Sequence, residues 1–442
     1  MTSSKREKVI GLSIPSLEPS GGVSIALSHC LSISQFCQIY IILPNRGSLG
    51  NYERYESILQ EMNAEIVYVS ECEIDFDLII FTFWTTILEI QNWGIRSRKW
   101  IHFCQSLEDR FLANPKNIDL YNLELAQSAY MFPIDIITEA SWILDTLRQR
   151  RLSSVRYWFV PNPVVLSGVP RKPEEKWWGV SRDQLVIVVE GEGTWLKGVE
   201  DAFRGLAEVT TVSILVHVIG NSLGNLRETQ NIKYHHHGKL SQQIFHEIIS
   251  SSDVLIKMSH VEGMFGPPLE AFSLGTTCIT SAVTGAEEYI KHLQNSIVVG
   301  IGDYVALSKW IEKLHNDRDF LKKLTEGAIE TYESWPKNRI IGNQFLEVIQ
   351  FVLKSNESPK SLNEYLTERE EAPVILRGSR IHGNSKIARV RYKFRITFSL
   401  IRRRDWTTIK HIFKRKYILF LHFTFIVLRR NVKRMLFLFR KE

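Results

Sequence analysis

The sequence predicts an α/β protein built from two open, mostly parallel sheets in tandem, and three observations support this. Short apolar runs alternate with helix-like stretches through the first half of the chain. The alternation stops at Pro161-Asn162-Pro163 and at a Pro/Lys-rich stretch, 168–177, and then restarts at Leu185. A chain of 442 residues is also too long for one ordinary domain and fits two. Because open α/β sheets bind ligands at the carboxyl ends of their strands, two such sheets predict a cleft.

The first half contains five strand-like runs before the break. They cover residues 9–14, 38–43, 65–69, 77–81 and 99–103. A turn ending in Gly21-Gly22 follows the first run, and a helix is predicted from Val23 to about Leu31. The whole half, residues 1–167, is predicted to be the first Rossmann-like domain.

The second half repeats the rhythm and forms the second predicted domain, residues 168–353. Strands are expected at 185–190, 212–219, 254–258 and 277–281, with helices from Lys197, near 241–250, and again up to about 353. The polar segment 354–385 is predicted to be a linker, and 386–442 a basic amphipathic, helical extension.

Charge is divided unevenly between the body and the last 57 residues. Residues 386–442 hold 18 Lys and Arg against 2 Asp and Glu, so of the totals of 55 and 48 the rest holds 37 against 46. The tail is therefore strongly basic while the body is mildly acidic, which argues against nucleic-acid binding by the body. Five scattered cysteines without a C-x-x-C pair favour reduced thiols in a cytosolic protein. The start of the chain is interpreted as a first strand and not a signal peptide.

The most informative motif is a pair of glutamates, Glu262 and Glu270, on either side of Gly266-Pro267-Pro268. Proline fits the first turn of a helix, so Glu262 is expected on a loop and Glu270 inside the following helix. The start of that helix suits a phosphate, whereas carboxylates suit hydroxyl groups. A nucleotide sugar offers both. The alternative, helix-start carboxylates favoured by the helix dipole, accounts for one glutamate but not for the pair.

Residues 259–299 resemble the donor-binding region of glycosyltransferase family 4, whose signature is a glutamate, seven residues and a second glutamate. Gly21-Gly22 resembles the family's N-terminal glycine loop, and Lys197-Gly198 its Lys-Gly pair. The resemblance spans roughly residues 8–353. It implies a GT-B fold, two Rossmann-like domains facing a cleft, and a retaining, metal-independent transfer from a nucleotide-diphospho-sugar without a cofactor.

The resemblance also implies roles for individual residues. Lys197 would hold the donor diphosphate, Glu270 the ribose, and Glu262 the sugar, and these three form the predicted catalytic set. The predicted donor-binding residues are Gly21, Gly22, Phe265, Gly266, Leu269 and Glu270. For Lys197 the alternative is an ordinary solvated lysine at a helix start.

One departure from the family pattern concerns the diphosphate. Many family members carry an arginine five residues before the lysine, where this chain has Glu192. Either Arg182 or Arg204 substitutes for it, or the loop is arranged differently. The departure keeps open a non-catalytic, sugar-nucleotide-binding scaffold of a glycan assembly complex. Another GT-B activity, such as that of an epimerase, is a further alternative.

A weaker resemblance, to bacterial surface-glycan rhamnosyltransferases, concerns the first domain. It makes Trp84, His102, Gln105 and Glu108 candidates for lining the acceptor side of the cleft, although Ser106 replaces an aspartate of that pattern. For His102 a buried structural histidine is an equal alternative. The run 235–237 is three consecutive histidines, which alternate faces in a strand, so no metal site is predicted there.

The tail completes the functional hypothesis. Its longest apolar run, residues 417–428, would span roughly 18 Å as a helix, short of the roughly 30 Å hydrocarbon core. Basic clusters between aromatic runs instead favour a helix lying on an anionic membrane surface, or one packed on a protein. The sequence therefore predicts a cytoplasmic glycosyltransferase at the inner membrane face, extending a bacterial surface glycan on a glycan or lipid-linked acceptor. No nucleic acid is expected as a partner.

Overall fold

A computed structural model describes residues 8–87, 95–114, 118–130, 132–150, 155–164, 184–190, 195–220, 228–238 and 240–355. Within these ranges the chain forms two parallel sheets covered by helices, which confirms the predicted fold class of two tandem α/β domains. The predicted tail 386–442, the linker beyond residue 355, and both Arg182 and Glu192 lie outside the described residues. Among the helices that are described, none combines the length and apolar character needed to span a bilayer.

The first sheet has seven parallel strands in the order β3-β2-β1-β5-β7-β8-β9. The strands of this half, with a small separate pair formed by β4 and β6, are β1 (Lys8–Ser13), β2 (Cys37–Leu43), β3 (Glu65–Tyr68), β4 (Asp75–Phe76), β5 (Leu78–Phe81), β6 (Arg96–Ser97), β7 (Trp100–Cys104), β8 (Asp135–Thr138) and β9 (Tyr157–Phe159). Strand β1 pairs with β2 and β5, and its apolar side chains are buried on both faces because helices cover the sheet.

The second sheet has six parallel strands in the order β12-β11-β10-β13-β14-β15. They are β10 (Leu185–Glu190), β11 (Ile214–Ile219), β12 (Ile232–His236), β13 (Val254–Lys257), β14 (Thr277–Ser281) and β15 (Ser296–Val299). With β10 as the first strand, this is the 3-2-1-4-5-6 order of a doubly wound sheet. Its order reverses between β10 and β13, and ligands of such sheets bind beyond the carboxyl ends at that point.

Ten α-helices are described. They are α1 (Gly21–Ile33), α2 (Glu56–Glu61), α3 (Leu120–Ala129), α4 (Ser141–Arg150), α5 (Val199–Ala207), α6 (Gln242–Ser251), α7 (Gly266–Ser273), α8 (Tyr304–Asn316), α9 (Arg318–Ser334) and α10 (Asn338–Lys354). Two starts differ slightly from the prediction. Helix α1 begins at Gly21 because the hydroxyl of Ser20 accepts from the Val23 N–H. Helix α5 begins two residues after Lys197, which lies in a short 3₁₀ turn.

The last helix returns to the first domain. Apolar side chains of α10, among them Ile341 and Phe345, are buried in the same core as Ile10 and Leu27. Gly342 permits the close approach, since a Cβ there would lie 2.7 Å from the Cβ of Ser32 on α1. The predicted second domain, 168–353, thus includes a helix that packs on the first sheet. A sequence pattern shows that such a helix is amphipathic but not which sheet covers its apolar face.

Candidate active site

The two-glutamate loop lies beyond the carboxyl end of β13, where the sheet order reverses. Both prolines fall in the first turn of α7, as expected, so Glu262 lies on the loop and Glu270 in the helix. Lys197 Nζ contacts both carboxylate oxygens of Glu262, at 2.9 Å and 3.0 Å. Glu262 also accepts from Ser259 Oγ at 2.7 Å. The structure therefore joins two of the three predicted catalytic residues in one partly buried ion pair.

Two neighbouring carboxylates favour the protonated, positively charged form of Lys197. Burial by itself would lower the pKa of Lys197, but the carboxylate of Glu262 and then that of Glu190 raise the pKa above its ordinary value. The next residue fixes the lysine's position. Gly198 has φ +59°, and a Cβ there would lie only 1.6 Å from the carbonyl oxygen of Met258, just past β13. Only glycine lets this corner pack against the strand end.

Glu270 is partly exposed, and its Oε2 lies 3.6 Å from Nε2 of the buried His246 on α6. The other predicted donor residues around it differ in what they expose. The side chains of Phe265 and Leu269 are buried in the core, so only their backbone could face a ligand. The Gly266 N–H donates to the Met264 carbonyl at 3.0 Å, so that amide is engaged within the loop. These donor roles stay predictions.

Gln105 contacts Gly22 in the first turn of α1 and Gly263 in the two-glutamate loop of the second domain. Its Nε2 donates to the Gly22 carbonyl at 2.9 Å. Its own carbonyl oxygen lies so near Gly263 that a Cβ on Gly263 would be 1.9 Å from it. Gly21, by contrast, has open space on its Cβ side. Gln105 thus links Gly22 to the two-glutamate loop, although the three segments are far apart in the sequence.

The other predicted acceptor-side residues lie inside the first domain. Trp84, His102 and Glu108 are only 8%, 1% and 2% exposed. The His102 ring stacks on that of Tyr130, and the Tyr130 hydroxyl donates to the Glu108 carboxylate. Burial raises the pKa of Glu108 to about 8, and the Tyr130 hydrogen bond opposes that rise. The burial of His102 favours the alternative that it is a structural histidine. Within this group, Gln105 is the residue that contacts the second domain, at Gly263.

Sequence reasoning missed a row of first-domain residues that bind the opposite loop. The Trp142 indole N–H donates to the Gly263 carbonyl at 2.9 Å, and the Met264 N–H donates to Glu139 Oε1 at 3.3 Å. Burial raises the pKa of Glu139 to about 8. Glu139 directly follows β8, so its position at a strand's carboxyl end was the available signal.

Two further polar contacts join the first domain to the second. Arg110 donates to Thr284 Oγ1 at 2.7 Å, with its guanidinium 4.9 Å from the centre of a Trp142 ring. Ser141 Oγ donates to Glu288 Oε1 at 2.6 Å. The cleft is therefore closed along one side by direct bonds between the domains.

The three histidines at 235–237 alternate faces, as predicted, but two of them meet a third histidine on the neighbouring strand. His236 turns away from its neighbours and its Nε2 lies 2.7 Å from the Gly220 carbonyl oxygen. His235 and His237 share a face and meet His217 of β11, whose Nδ1 lies 2.8 Å from His237 Nε2. No group of His, Cys, Asp or Glu side chains among the described residues is arranged to hold a metal ion. Independence of metal stays a prediction.

Residues 171–331 match the family model described as Glycosyl transferases group 1. The chain is 24% identical over 195 residues to N-acetyl-alpha-D-glucosaminyl L-malate synthase of Bacillus anthracis, covering 42% of this chain and 50% of that protein. It is 24% identical over 196 residues to the capsular polysaccharide biosynthesis glycosyltransferase CapM of Staphylococcus aureus, covering 42% and 51%. The matched region thus spans about half the length of these relatives.

The fold has a counterpart among solved structures. The structure of Anabaena HepE in complex with UDP-glucose superposes with a TM-score of 0.58 at 14% identity, covering 78% of this chain and 99% of that one. Two doubly wound sheets facing each other across a cleft constitute the GT-B fold, which this likeness confirms. Residues 171–331 are therefore similar to the glycosyl transferases group 1 family, and the described part of the chain has a GT-B fold.

Proposed function

We propose that this protein is a retaining glycosyltransferase that moves a sugar from a nucleotide-diphospho-sugar to a growing bacterial surface glycan. The observation that carries the proposal is the contact of Lys197 with Glu262 at a strand-end switch point, with Glu270 partly exposed in the adjoining helix. The names of the relatives support the substrate class. CapM acts in capsular polysaccharide biosynthesis, and the HepE structure contains UDP-glucose.

The proposed reaction is a displacement on one face of the donor sugar. The bond between the anomeric carbon and the diphosphate oxygen breaks, and the acceptor hydroxyl oxygen forms the new bond. The proton of that hydroxyl leaves with the nucleoside diphosphate. Lys197 stabilises the charge that develops on the leaving group, and the carboxylate of Glu262 faces the positive charge that develops on the sugar. Glu270 holds the ribose by accepting from its hydroxyls.

Closure of the cleft serves this chemistry. The bonds from Trp142 and Glu139 to residues 263 and 264 hold the first domain against the loop that carries Glu262. When donor and acceptor are held in a fixed geometry, binding energy compensates the entropic cost of bringing them together before the chemical step. Exclusion of water also protects the donor from hydrolysis.

The test combines a donor panel with two matched variants. Thermal shift with UDP-sugars and dTDP-rhamnose identifies the donor, and transfer to lipid-linked and oligosaccharide acceptors is then measured. We expect Glu270→Ala to abolish transfer without lowering Tm, because its side chain is partly exposed. Glu330→Ala, an exposed glutamate on α9, is the control and should retain activity. Full activity of Glu270→Ala would overturn the assignment, and nucleotide binding without turnover on any acceptor would favour the scaffold alternative.

We propose that the reaction takes place at the inner face of the cell membrane, with residues 386–442 binding anionic lipid. The support is the excess of 18 basic over 2 acidic residues in that segment. Co-sedimentation with vesicles containing anionic lipid compares the full chain with residues 1–385. Equal binding by the two would reject the membrane role.

A further inference from the structure

A second ion pair lies beside Lys197 and involves residues outside the predicted catalytic set. Glu190 is the last residue of β10 and Lys257 the last of β13, its neighbour in the sheet. The strands run in parallel, with Val189 opposite Ile256, so the two strand ends lie side by side. Lys257 Nζ donates to the Glu190 carboxylate. The side chain of Lys257 is only 3% exposed and that of Glu190 26%.

The fold alone gives no reason for this pair. In both strands every residue before the charged end residue is apolar and buried. Removing a lysine ammonium from water is unfavourable unless a partner and hydrogen bonds compensate it. Well-packed apolar residues at such positions are commonly as stable as an ion pair. A role for the pair therefore has to come from what surrounds it.

What surrounds the pair is Lys197. Burial opposes ionisation of Glu190, but attraction to Lys257, and then to Lys197, lowers its pKa. Charges therefore alternate along the strand ends, from Lys257 to Glu190, to Lys197 and to Glu262. The four groups sum to zero. Without Lys257, two carboxylates would face the one ammonium group of Lys197, leaving a net negative charge where a diphosphate has to bind.

We propose that Lys257 is a positioning residue for donor binding, which neutralises Glu190 and so leaves Lys197 available to the donor's diphosphate. The inference rests on the proposed function. Lys257 acts through Glu190 and does not itself touch the donor, because its ammonium is buried against that carboxylate. A negative charge added beside an anion site weakens binding in proportion to the charge of the ligand. The effect should therefore be absent for a ligand without phosphate.

The experiment measures binding of UDP, UMP and uridine to the full chain by calorimetry, with dTDP, dTMP and thymidine substituted if the panel selects dTDP. We expect Lys257→Met to weaken diphosphate binding by about 10- to 100-fold, the monophosphate less, and the nucleoside by less than about twofold. For the donor, KM should rise while kcat changes little. A structural role would weaken all three ligands alike, and that result would overturn the proposal.

Two companion variants separate charge from packing. Glu190→Gln alone should bind UDP at least as tightly as the wild type, because it removes a negative charge. Glu190→Gln combined with Lys257→Met should restore UDP binding to within about threefold of the wild type. If the double variant binds as weakly as Lys257→Met, the inference is wrong. If Lys257→Met does not fold, the single Glu190→Gln variant decides, and weaker UDP binding by it overturns the inference.

The two levels of proposal fail in different ways. A wild-type protein that binds no nucleoside diphosphate would refute the proposed function together with this inference. A wild-type protein that binds UDP, with an unchanged affinity in Lys257→Met, would refute only the role of Lys257.

Discussion

Replacing Gly263 by alanine tests whether contact between the two domains positions the loop that carries Glu262. A Cβ on Gly263 would lie 1.9 Å from the Gln105 carbonyl oxygen, whereas ordinary contact begins at 3.4 Å. The obstacle is backbone on both sides, so no side chain can rotate away. The loop and the strand end of the first domain must then separate by the difference, about 1.5 Å.

The magnitude follows from the bonds at this point. Separation breaks or stretches the Trp142–Gly263 hydrogen bond of 2.9 Å and the Met264–Glu139 bond of 3.3 Å. Each is worth about 1 kcal/mol, and the strain of the added methyl group adds about 1 to 3 kcal/mol. We expect a loss of roughly 3 to 5 kcal/mol and a fall in Tm of roughly 4 to 10 °C. Misplacing reacting groups by about 1 Å should lower kcat/KM about 100-fold.

The assay pairs thermal unfolding with transfer kinetics on the donor selected by the nucleotide-sugar panel. Gly266→Ala is the control for stability in the same loop, because a Cβ there meets nothing within 4 Å. Gly300→Ala, whose nearest atom would be 3.5 Å away, is the control for activity and should be unchanged. If Gly263→Ala matched Gly266→Ala in Tm and Gly300→Ala in kcat/KM, the contact would not position the loop.

Three further predictions concern buried groups. His29 is buried between Phe103 and Phe345, and burial lowers its pKa to about 3. The free energy of unfolding is therefore unaffected by this group above pH 6.5, and it falls below pH 6.5 because the unfolded chain takes up a proton that the folded chain does not. His29→Leu should therefore recover roughly 2 to 3 kcal/mol of the loss between pH 7.5 and 4.5 in urea titrations; an unchanged loss contradicts this. Burial raises the pKa of Glu139 to about 8. The contribution of the neutral carboxyl group to the free energy of unfolding is therefore fully present below pH 4.5 and is lost as pH rises through 8. Glu139→Gln should raise Tm at pH 8.5 and leave it nearly unchanged at pH 4.5, and equal shifts at the two pH values would refute the burial argument. Gly198→Ala adds a Cβ 1.6 Å from the Met258 carbonyl at positive φ, and we expect it to lower Tm and weaken UDP binding at least tenfold, with wild-type binding as the contrary result.

Much of the fold followed from the sequence because its signals are local. Apolar runs bounded by turns marked nine of the thirteen strands described in the two sheets, and most of those predicted bounds agree with the structure to within two residues. The strands β8, β9, β12 and β15 were not predicted. The pairing of strands was also accessible, since strand–helix–strand units form parallel neighbours. The sequence did not show which sheet α10 packs on, because its apolar face fits a core on either sheet.

The candidate site divides in the same way. The Glu262–Glu270 spacing is contained in one loop and one helix, so the sequence alone indicated their placement. The acceptor-side residues were proposed from a resemblance to rhamnosyltransferases, which does not show side-chain direction. Trp84, His102 and Glu108 are buried in the first domain, and their acceptor role stays a prediction. Whether a strand-end residue points into the cleft or into the core depends on the packing around it.

The sequence by itself therefore determined two tandem α/β domains, their parallel sheets and the loop–helix motif that indicates a nucleotide sugar. Only the tertiary structure decided which charges meet. Lys197 and Glu262 are 65 positions apart, and Glu190 and Lys257 are 67 apart, yet all four charges lie at the carboxyl edge of one sheet. Glu139 and Met264 are 125 apart and meet across the cleft. Periodicity reports which face of a strand or helix is buried, whereas a charge's partner depends on how separate strands and domains pack together.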